Sequence, residues 1–249
     1  MPLIPAADLI EVFSSLQGEG ELVGRRQAFL RFAGCNLSCD YCDTNFLSSP
    51  VCRIEENPGS GDLVVYENPV AIERILDLFE FWMTRFPGAH HSISITGGEP
   101  LLHAELLEVW LPHMRKLLPI SLETNGTLPT ALRLIVPFLD HVAMDIKLPS
   151  AAGMETDWEC HADFLRIAVQ THCTVKLVVD ETTSDDELSR ATTLVNDVSS
   201  SIPVILQPVT RDNKVTVSVS RLLAMQALVA AIHREVVVIP QTHIFMGLM

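Results

Sequence analysis

The sequence has few basic residues and no long apolar run. It contains 17 Lys and Arg against 31 Asp and Glu, a formal net charge of −14, so nucleic acids and anionic membrane surfaces would repel it. No apolar run approaches the roughly 18 residues that cross a bilayer, and the first residues lack the basic segment and apolar stretch of a secretory signal. We therefore expect a cytoplasmic protein that binds neither nucleic acid nor membranes.

Internal repeats and low-complexity tracts are also lacking. The 249 residues are 48 % apolar and 19 % charged, an ordinary globular composition that supports the core of one large α/β domain. A single domain over residues 1–249 is the prediction. Because cytoplasmic thiols stay reduced, we interpret the six cysteines as ligands, nucleophiles or core residues before disulfides.

Short apolar runs rich in β-branched residues alternate with longer segments of helical period, which predicts βα units and a parallel sheet. The predicted strands cover residues 27–32, 92–96, 120–123, 142–146, 175–179, 204–207 and 236–239, and the predicted helices cover 70–86, 104–118, 130–138, 157–170, 185–198 and 220–233. This order favours a partial (βα) barrel of about six parallel strands. A doubly wound open sheet is the alternative, and both layouts place chemistry beyond the carboxyl ends of the strands.

Local signals mark two helix starts and one irregular stretch. Asn68 followed by Pro69 predicts a helix start, and Ser184 with Glu187 predicts a capping box. Residues 45–68 have no clear helical period and are expected to form a surface segment with a short strand at 63–66. We expect this segment to include part of an irregular loop that follows the first strong strand.

Three of the six cysteines lie within eight residues, directly after that strand. Cys35, Cys39 and Cys42 form a C-x3-C-x2-C pattern, and three thiolates can hold three irons of a [4Fe–4S] cluster while the fourth iron stays open for a ligand. A redox-active C-x-x-C pair and a structural zinc site are the alternatives. The zinc site is disfavoured because no second C-x2-C or H-x3-H follows. Cys52, Cys160 and Cys173 are scattered, and we interpret them as core or surface thiols.

The cysteine pattern, with Tyr41 before its last member, resembles that of the radical S-adenosylmethionine superfamily. Residues 96–100, Thr-Gly-Gly-Glu-Pro, resemble the G-G-E motif of that superfamily. The resemblance implies that S-adenosylmethionine binds the open iron and is cleaved to a 5′-deoxyadenosyl radical, with an electron from a donor such as a flavodoxin or ferredoxin. The residues that it implies for binding this cofactor are Gly98, Glu99, Glu123, Thr124, Asn125 and Lys147.

A narrower resemblance starts at residues 13–20, Phe-Ser-Ser-Leu-Gln-Gly-Glu-Gly, which are similar to the opening of the 7-carboxy-7-deazaguanine synthase family. Matches continue at 31–37, 42–44, 123–126, 144–147 and 240–243. The resemblance implies a homodimer that converts 6-carboxy-5,6,7,8-tetrahydropterin into 7-carboxy-7-deazaguanine with loss of ammonia. The residues assigned to the substrate are Leu16, Gln17, Gly18, Arg31, Thr96, Gln241 and His243.

The side chains of this set suit a pterin carboxylate. A glutamine such as Gln17 can pair with the amide edge of a pterin, and Arg31 can hold a carboxylate through two parallel hydrogen bonds. The resemblance also implies Mg²⁺ at Thr44, whose hydroxyl suits a hard cation that keeps part of its water shell. Asp43, beside it, is the candidate for proton handling.

Two other functions fit parts of the sequence. An activase that generates a glycyl radical on a partner protein shares the cysteine spacing, and it predicts an open docking surface with no role for Gln17 or Thr44. A zinc-binding interaction module without catalysis would use the same three thiols as metal ligands. Iron and sulfide, or zinc, in the purified protein would distinguish the module from either enzyme.

Overall fold

The computed structural model describes residues 5–42 and 45–248. In this part of the chain, ten strands form one sheet and two more form a separate hairpin. The strands of the sheet are β1 (Leu9–Leu16), β2 (Arg26–Phe32), β3 (Val51–Glu55), β4 (Leu63–Glu67), β5 (Ser92–Gly97), β6 (Ile120–Thr124), β7 (His141–Ile146), β8 (His172–Val179), β9 (Val204–Pro208) and β12 (Val236–Val238). The hairpin consists of β10 (Thr210–Arg211) and β11 (Lys214–Val215).

The helices follow the periodicity of the sequence. They are α1 (Ile72–Arg85), α2 (Ala104–Met114), α3 (Pro129–Ile135), α4 (Pro149–Ala152), α5 (Trp158–Ala168), α6 (Asp185–Val198), α7 (Val219–Ile232) and α8 (Thr242–Met246). In α1, apolar residues recur three or four positions apart, and these are the residues that it buries: Ile72, Ile75, Phe79 and Trp82. Among the described helices, none is long and apolar enough to cross a membrane.

The parallel strands decide between a barrel and a doubly wound sheet. Seven of them, β2, β5, β6, β7, β8, β9 and β12, lie side by side in chain order. A doubly wound sheet would reverse this order at a switch point, and within the described residues the order does not reverse. Right-handed crossovers then place the helices on one face of the sheet. The predicted partial (βα) barrel is confirmed, with seven parallel strands where about six were expected.

The two faces of the parallel sheet differ in polarity. Leu30, Ile95 and Leu122 are fully buried in the main apolar core. Alternate positions on the same strands carry buried polar side chains, of which Gln27 and Ser94 are examples. Because successive side chains of a strand point to opposite faces, the polar set forms a second face, which we call the barrel interior.

The first strand extends the sheet beyond β2. β1 is antiparallel to β2, and β3 and β4 continue the sheet on the far side of β1. The segment 45–68, expected to be irregular, therefore contains a β-hairpin, of which the sequence predicted β4 but not β3. β1 was also not predicted, and it matters because its antiparallel course carries residue 17 to the amino end of β2.

Asn68 does not cap a helix, contrary to the sequence prediction. Its side-chain oxygen accepts a hydrogen bond from the backbone N–H of Leu9 at 3.1 Å, and its amide nitrogen donates to the carbonyl of Leu9 at 2.8 Å. The helix starts later, at Ile72, and its N-cap Ala71 makes no side-chain cap. The prediction failed because an asparagine amide pairs as readily with the backbone of a strand as with that of a helix.

The capping box of α6 is confirmed and gives a stability prediction. Ser184 Oγ accepts from the N–H of Glu187 at 3.2 Å, and the Glu187 carboxylate accepts from the N–H of Ser184 at 2.9 Å. We expect Ser184→Ala to lower the free energy of unfolding by about 1 kcal/mol, measured by urea unfolding. Ser200→Ala, at an exposed position outside the cap, is the matched control. Equal stability of the two variants would contradict the assignment.

Candidate active site

The barrel interior encloses a cavity of about 980 Å³. It extends from the cysteine loop, residues 35–42, to the residues that follow β1. All but one of the predicted residues in the described part of the chain line it, the exception being Glu99. The lining residues among them are Leu16, Gln17, Gly18, Arg31, Cys35, Cys39, Cys42, Thr96, Gly98, Glu123, Thr124, Asn125, Lys147, Gln241 and His243. Asp43 and Thr44 lie outside the described residues.

The cysteine loop is fastened to the turn after β5. The N–H of Glu99 donates to the carbonyl of Gly34 at 2.8 Å. A Cβ atom added at Gly98 would lie 2.1 Å from that same carbonyl oxygen and 2.8 Å from the Cβ of Cys35. Only glycine therefore allows the two segments to approach this closely, and the approach sets the position of the first cysteine.

The three thiols of the loop fit a [4Fe–4S] cluster with one open iron. Cys35 and Cys39 are half-buried and Cys42 is exposed, and all three line the cavity. Burial raises the pKa of the Cys35 and Cys39 thiols, and iron binding, which takes the thiolate form, would offset this cost. All three other cysteines lie outside the cavity lining, so within the described residues a fourth thiol does not reach this site.

The other cysteines occupy positions that agree with the sequence interpretation. Cys52 and Cys173 are buried in the apolar core. Burial raises the pKa of each thiol to about 12, with the Glu11 carboxylate adding to the effect at Cys52. Cys160 is half-buried on α5, and its Sγ lies 3.2 Å from the carbonyl oxygen of Thr127.

Glu99 is fully buried and braces the end of β6. Its carboxylate accepts hydrogen bonds from Thr124 Oγ1 at 2.9 Å and from the N–H of Asn125 at 2.8 Å, and it also caps the N–H of Leu101. Burial raises the pKa of Glu99 to about 7 in spite of these bonds. Glu99 is not among the lining residues of the cavity, and it fixes Thr124 and Asn125, which are; its contact with the cofactor stays a prediction.

Asn125 connects this turn to the cysteine loop. Its side-chain nitrogen donates to Asn36 Oδ1 at 2.9 Å, and Asn36 in turn donates to Thr127 Oγ1 at 2.8 Å. The residue that follows the first cysteine is thereby tied to the residues that follow β6. The polar groups at the ends of β5 and β6 and the cysteine loop form one connected rim.

A chain of largely buried charges crosses the barrel interior. Asp145 Oδ2 lies 2.7 Å from Lys147 Nζ and 3.2 Å from Lys176 Nζ, and Lys176 Nζ lies 2.5 Å from Glu19 Oε2. Burial, the largest single influence, lowers the pKa of both lysines, but the Asp145 and Glu19 carboxylates together with hydrogen bonding raise the pKa of each overall. Both lysines are therefore charged, and each needs its carboxylate partner to remain in the interior.

Several atoms of the interior lack a partner among the described residues. They include Asp145 Oδ1, Gln207 Oε1 and the hydroxyl of Tyr41, all of them buried. Each belongs to a residue that lines the cavity. Because buried polar atoms in proteins are nearly always hydrogen-bonded, this cavity is suited to a polar ligand.

Gln17 lies at the amino end of the parallel strands and reaches into the interior. Its amide nitrogen donates to Gln27 Oε1 at 2.9 Å and to Glu123 Oε1 at 2.8 Å, and its oxygen accepts from the N–H of Glu19 at 3.1 Å. Both amide hydrogens are thus used, and one lone pair of Oε1 is left to accept from a ligand.

Glu123, which the sequence predicts to bind the cofactor, contacts two residues of the predicted substrate set, Gln17 and Thr96. It accepts from Ser94 Oγ at 2.8 Å and from Thr96 Oγ1 at 3.2 Å, in addition to Gln17. The sequence grouped Glu123 with Thr124 and Asn125 because the three are consecutive. Their contacts differ, however: Glu123 contacts Gln17, whereas Thr124 contacts Glu99 and Asn125 contacts the cysteine loop.

Arg31 forms one wall of the cavity with two aromatic rings. Its Nε lies 2.9 Å from Glu11 Oε1, and its guanidinium lies 5.6 Å from the centre of the Phe13 ring. Phe13 and Phe29 are stacked with their centroids 4.9 Å apart. Among the described residues Arg31 makes its ion pair through Nε, which leaves its terminal nitrogens for an anionic group.

The carboxyl-terminal segment covers Gly18. Thr242 donates through its N–H to the carbonyl of Gly18 at 2.9 Å, and a Cβ at Gly18 would lie 2.2 Å from His243 Nδ1. Gln241 donates through Nε2 to Glu19 Oε1 at 2.9 Å. Gln241 and His243 are therefore brought against the same segment as Gln17, as the sequence prediction requires.

The sequence analysis missed Glu19 and Lys176. Glu19 was part of the Gln-Gly-Glu-Gly segment and received no role, and Lys176 was treated as part of an apolar strand. A signal for Lys176 exists in β8, where His172, Thr174 and Lys176 alternate with Cys173, Val175 and Leu177. This alternation predicts a polar face on a strand that looks apolar on average.

The ion pair of Glu19 predicts a pH-dependent stability. Burial, the largest single influence, raises the pKa of Glu19, but the charge and hydrogen bond of Lys176, with smaller contributions from Gln241 and His243, lower the pKa to about 2 from the ordinary 4.5. Because the folded-state pKa is depressed, the pair stabilises the fold above pH 4.5, and this contribution is lost as the pH falls from 4.5 toward 2. We expect Glu19→Gln to cost about 1–3 kcal/mol at neutral pH and progressively less in that acidic range.

Urea unfolding of the metal-free chain across this pH range would measure the effect. Glu108→Gln, a substitution at an exposed position of α2, is the matched control. A cost for Glu19→Gln that stays constant from neutral pH to pH 2 would contradict the ion-pair origin.

Comparison with known proteins identifies the family. The profile of the Radical SAM superfamily matches residues 30–179. A 7-carboxy-7-deazaguanine synthase of Geobacter sulfurreducens is 49 % identical over 246 residues, which are 98 % of this chain and 98 % of that protein. The protein of the same name from Methanothermobacter thermautotrophicus is 36 % identical and covers 99 % of both chains.

Solved structures show the same fold. The crystal structure of QueE from Escherichia coli has a TM-score of 0.59 at 19 % identity, over 96 % of this chain and 95 % of that one. SuiB of Streptococcus suis, bound to S-adenosylmethionine, has a TM-score of 0.57 at 12 % identity, over 88 % of this chain and 53 % of that one. On the sequence matches, this chain belongs to the radical SAM superfamily and, within it, to the family of 7-carboxy-7-deazaguanine synthases.

Proposed function

We propose that this enzyme converts 6-carboxy-5,6,7,8-tetrahydropterin into 7-carboxy-7-deazaguanine, with ammonia as the other product. The observation that carries the proposal is the single cavity that joins a three-thiol loop to a buried polar pocket. Its volume of about 980 Å³ lies near the top of the range of roughly 300–1,000 Å³ for small-molecule sites. The 49 % identity to a named synthase supports the same substrate.

The rim of the cavity holds the cofactors. When bound, the [4Fe–4S] cluster and S-adenosylmethionine of a radical SAM enzyme supply a 5′-deoxyadenosyl radical that can abstract a hydrogen atom from the pterin ring. Cys35, Cys39 and Cys42 would hold the cluster. Gly98 leaves room for a close backbone approach, and Thr124, Asn125 and Lys147 present donors and acceptors to the methionine and ribose groups of the cofactor.

The opposite end of the cavity suits the pterin. Gln17, held in one orientation by Gln27 and Glu123, accepts an N–H of the amide edge through the free lone pair of Oε1. Arg31 binds the substrate carboxylate. The stacked rings of Phe13 and Phe29 provide an apolar wall for a flat bicycle. Thr96, Leu16, Gly18 and, through the carboxyl-terminal segment, Gln241 and His243 complete this pocket.

Other parts of the assignment are supported by the sequence or the family resemblance alone. We assign Mg²⁺ to Thr44 and proton handling to Asp43. We further propose a homodimer, a flavodoxin or ferredoxin as the electron donor, and a cytoplasmic location, where a reducing environment keeps the three thiols available for iron.

Glycyl-radical activation is the weaker candidate function. An activase docks a partner protein at its active site, whereas the buried hydrogen bonds of Gln17 and the ion pair of Glu19 occupy the interior of a cavity of small-molecule size. A non-catalytic zinc module does not agree with membership of an enzyme superfamily.

The reaction itself is the first test. Protein reconstituted with iron and sulfide and reduced without oxygen, given S-adenosylmethionine and the pterin, is expected to release 7-carboxy-7-deazaguanine and ammonia in equal amounts, measured by mass spectrometry and an ammonia assay. The Cys42→Ala variant should form neither. Formation of 5′-deoxyadenosine without the deazapurine would show that the enzyme acts on another substrate.

The role of Gln17 gives a second prediction. We expect Gln17→Ala to lower kcat/KM for the pterin by about 10- to 100-fold, which corresponds to about 1.4–2.7 kcal/mol, because a buried hydrogen bond to the substrate is lost. Cleavage of S-adenosylmethionine without the pterin should not change. Gln170→Ala, at an exposed position after α5, is the control. A Gln17→Ala variant with unchanged kcat/KM for the pterin would contradict the assignment of Gln17 to the substrate.

A further inference from the structure

Three potential metal ligands meet at the amino end of the barrel. His141 and His172 are the first residues of β7 and β8 and stand opposite each other in the register of the two strands. Glu21, in the loop after β1, lies beside the two histidines. One donor atom from each of the three lies within 4.8 Å of the other two. This cluster lies at the amino ends of β7 and β8, whereas the cysteine loop follows the carboxyl end of β2. The cluster and the cysteine loop are therefore at opposite ends of the barrel.

The cluster is already organised by contacts within the protein. His172 Nε2 lies 2.6 Å from Glu21 Oε2, and the rings of His141 and His172 have their centroids 5.3 Å apart. Ligands of a tetrahedral ion with bonds of about 2.0–2.1 Å lie roughly 3.3 Å apart. Small movements of exposed side chains would bring these three donors to that spacing, because Glu21 and His172 are 40 % and 54 % exposed.

The buried member of the cluster has hydroxyl partners on both ring nitrogens. His141 Nδ1 lies 2.9 Å from Ser121 Oγ, and Nε2 lies 3.2 Å from Thr174 Oγ1. A ligating histidine usually donates the N–H of its other nitrogen to a neighbouring oxygen, which fixes the tautomer and the ring orientation. One of these hydroxyls can keep that role while the second nitrogen of His141 binds an ion.

Charge also favours a cation at this position. His141 is buried and its ring nitrogens face hydroxyl groups, so one of them can present its lone pair to an ion. Glu21 supplies a negative charge, and two imidazoles with one carboxylate suit zinc and neighbouring transition-metal ions better than Mg²⁺ or Ca²⁺.

We propose that Glu21, His141 and His172 form a second metal site, which binds one Zn²⁺ ion with water in the fourth position and fastens the loop of Gln17 to β7 and β8. Glu21 is four residues from Gln17 and two from Glu19, so an ion at this position restrains the segment that closes the substrate end of the cavity. The effect on the substrate rests on the proposed function; binding of the ion does not.

Zinc binding by the reconstituted enzyme tests the site directly. The holoenzyme is equilibrated with Zn²⁺ without oxygen and freed of unbound ion, and its zinc content and zinc X-ray absorption spectrum are measured. We expect one zinc per chain with nitrogen and oxygen ligands. His172→Ala and Glu21→Gln should each weaken binding at least 100-fold, whereas His113→Ala, a histidine of α2 outside the cluster, should not.

Three results would overturn the site. They are no retained zinc, zinc with sulfur ligands, and zinc whose retention does not depend on Glu21 and His172. In each case the contact of Glu21 with His172 would be a hydrogen bond within the protein only. Circular dichroism shows whether each variant is folded. If one variant does not fold, zinc binding by the other still tests the site.

Steady-state kinetics test the effect on the loop. Zinc is expected to lower KM for the pterin about fivefold in the wild-type enzyme without changing kcat, and to have no effect in Glu21→Gln. Bound zinc with an unchanged KM would overturn the fastening role. If none of the proteins forms the deazapurine, the proposed function fails, whereas zinc content and its dependence on Glu21 still decide whether the site exists.

Discussion

The arrangement of side chains in this active site depends on the pairing of largely buried charges. The chain of Lys147, Asp145, Lys176 and Glu19 places two cations and two anions inside the barrel, where a lone charge would be very costly. It begins beside the cysteine loop, where Lys147 lies over the ring of Tyr41, and it ends on the segment after β1. The end of the cavity at the cysteine loop and the end at Gln17 are therefore connected by electrostatic pairing.

The antiparallel course of β1 is what makes this pairing possible. The parallel strands alone would form a barrel whose interior is open at the amino end. β1 runs back along β2 and delivers Gln17, Glu19 and Glu21 to that end, and the carboxyl-terminal helix α8 packs its first residues on Gly18. Residues near the start and near the end of the sequence therefore close the cavity at the amino end of the parallel strands. The central βα units form its opposite end.

Much of the architecture could be predicted from the sequence, because it depends on local patterns. The seven parallel strands and six main helices have strong apolar periods, and the cysteine spacing and the Gly98 motif are short and specific. β1 and β3 were missed because β1 is bounded by the Gln-Gly-Glu-Gly segment and β3 lies between turn-rich residues. The partners of Lys176 could not be predicted, since Glu19 is 157 residues distant and meets it only through the tertiary fold.

Residue roles were harder to predict than residue positions. Glu99 and Glu123 end neighbouring strands and look equivalent in the sequence. In the fold, Glu99 is fully buried and supports the turn after β6, whereas Glu123 faces the interior and contacts Gln17. The difference comes from the alternation of side chains along each strand and from the turn that starts at Gly98, which sequence spacing alone does not resolve.

The burial of Cys52 and Cys173 has a consequence for assembly of the iron site. Only a thiolate binds iron or reacts readily with an oxidant, and the core keeps these two thiols protonated at any pH that a cell maintains. Iron and sulfide delivered to the chain therefore do not find competing sulfur donors there. The three thiols of the cysteine loop are therefore the more reactive sulfur donors, and the core protects two of the six cysteine thiols from peroxide.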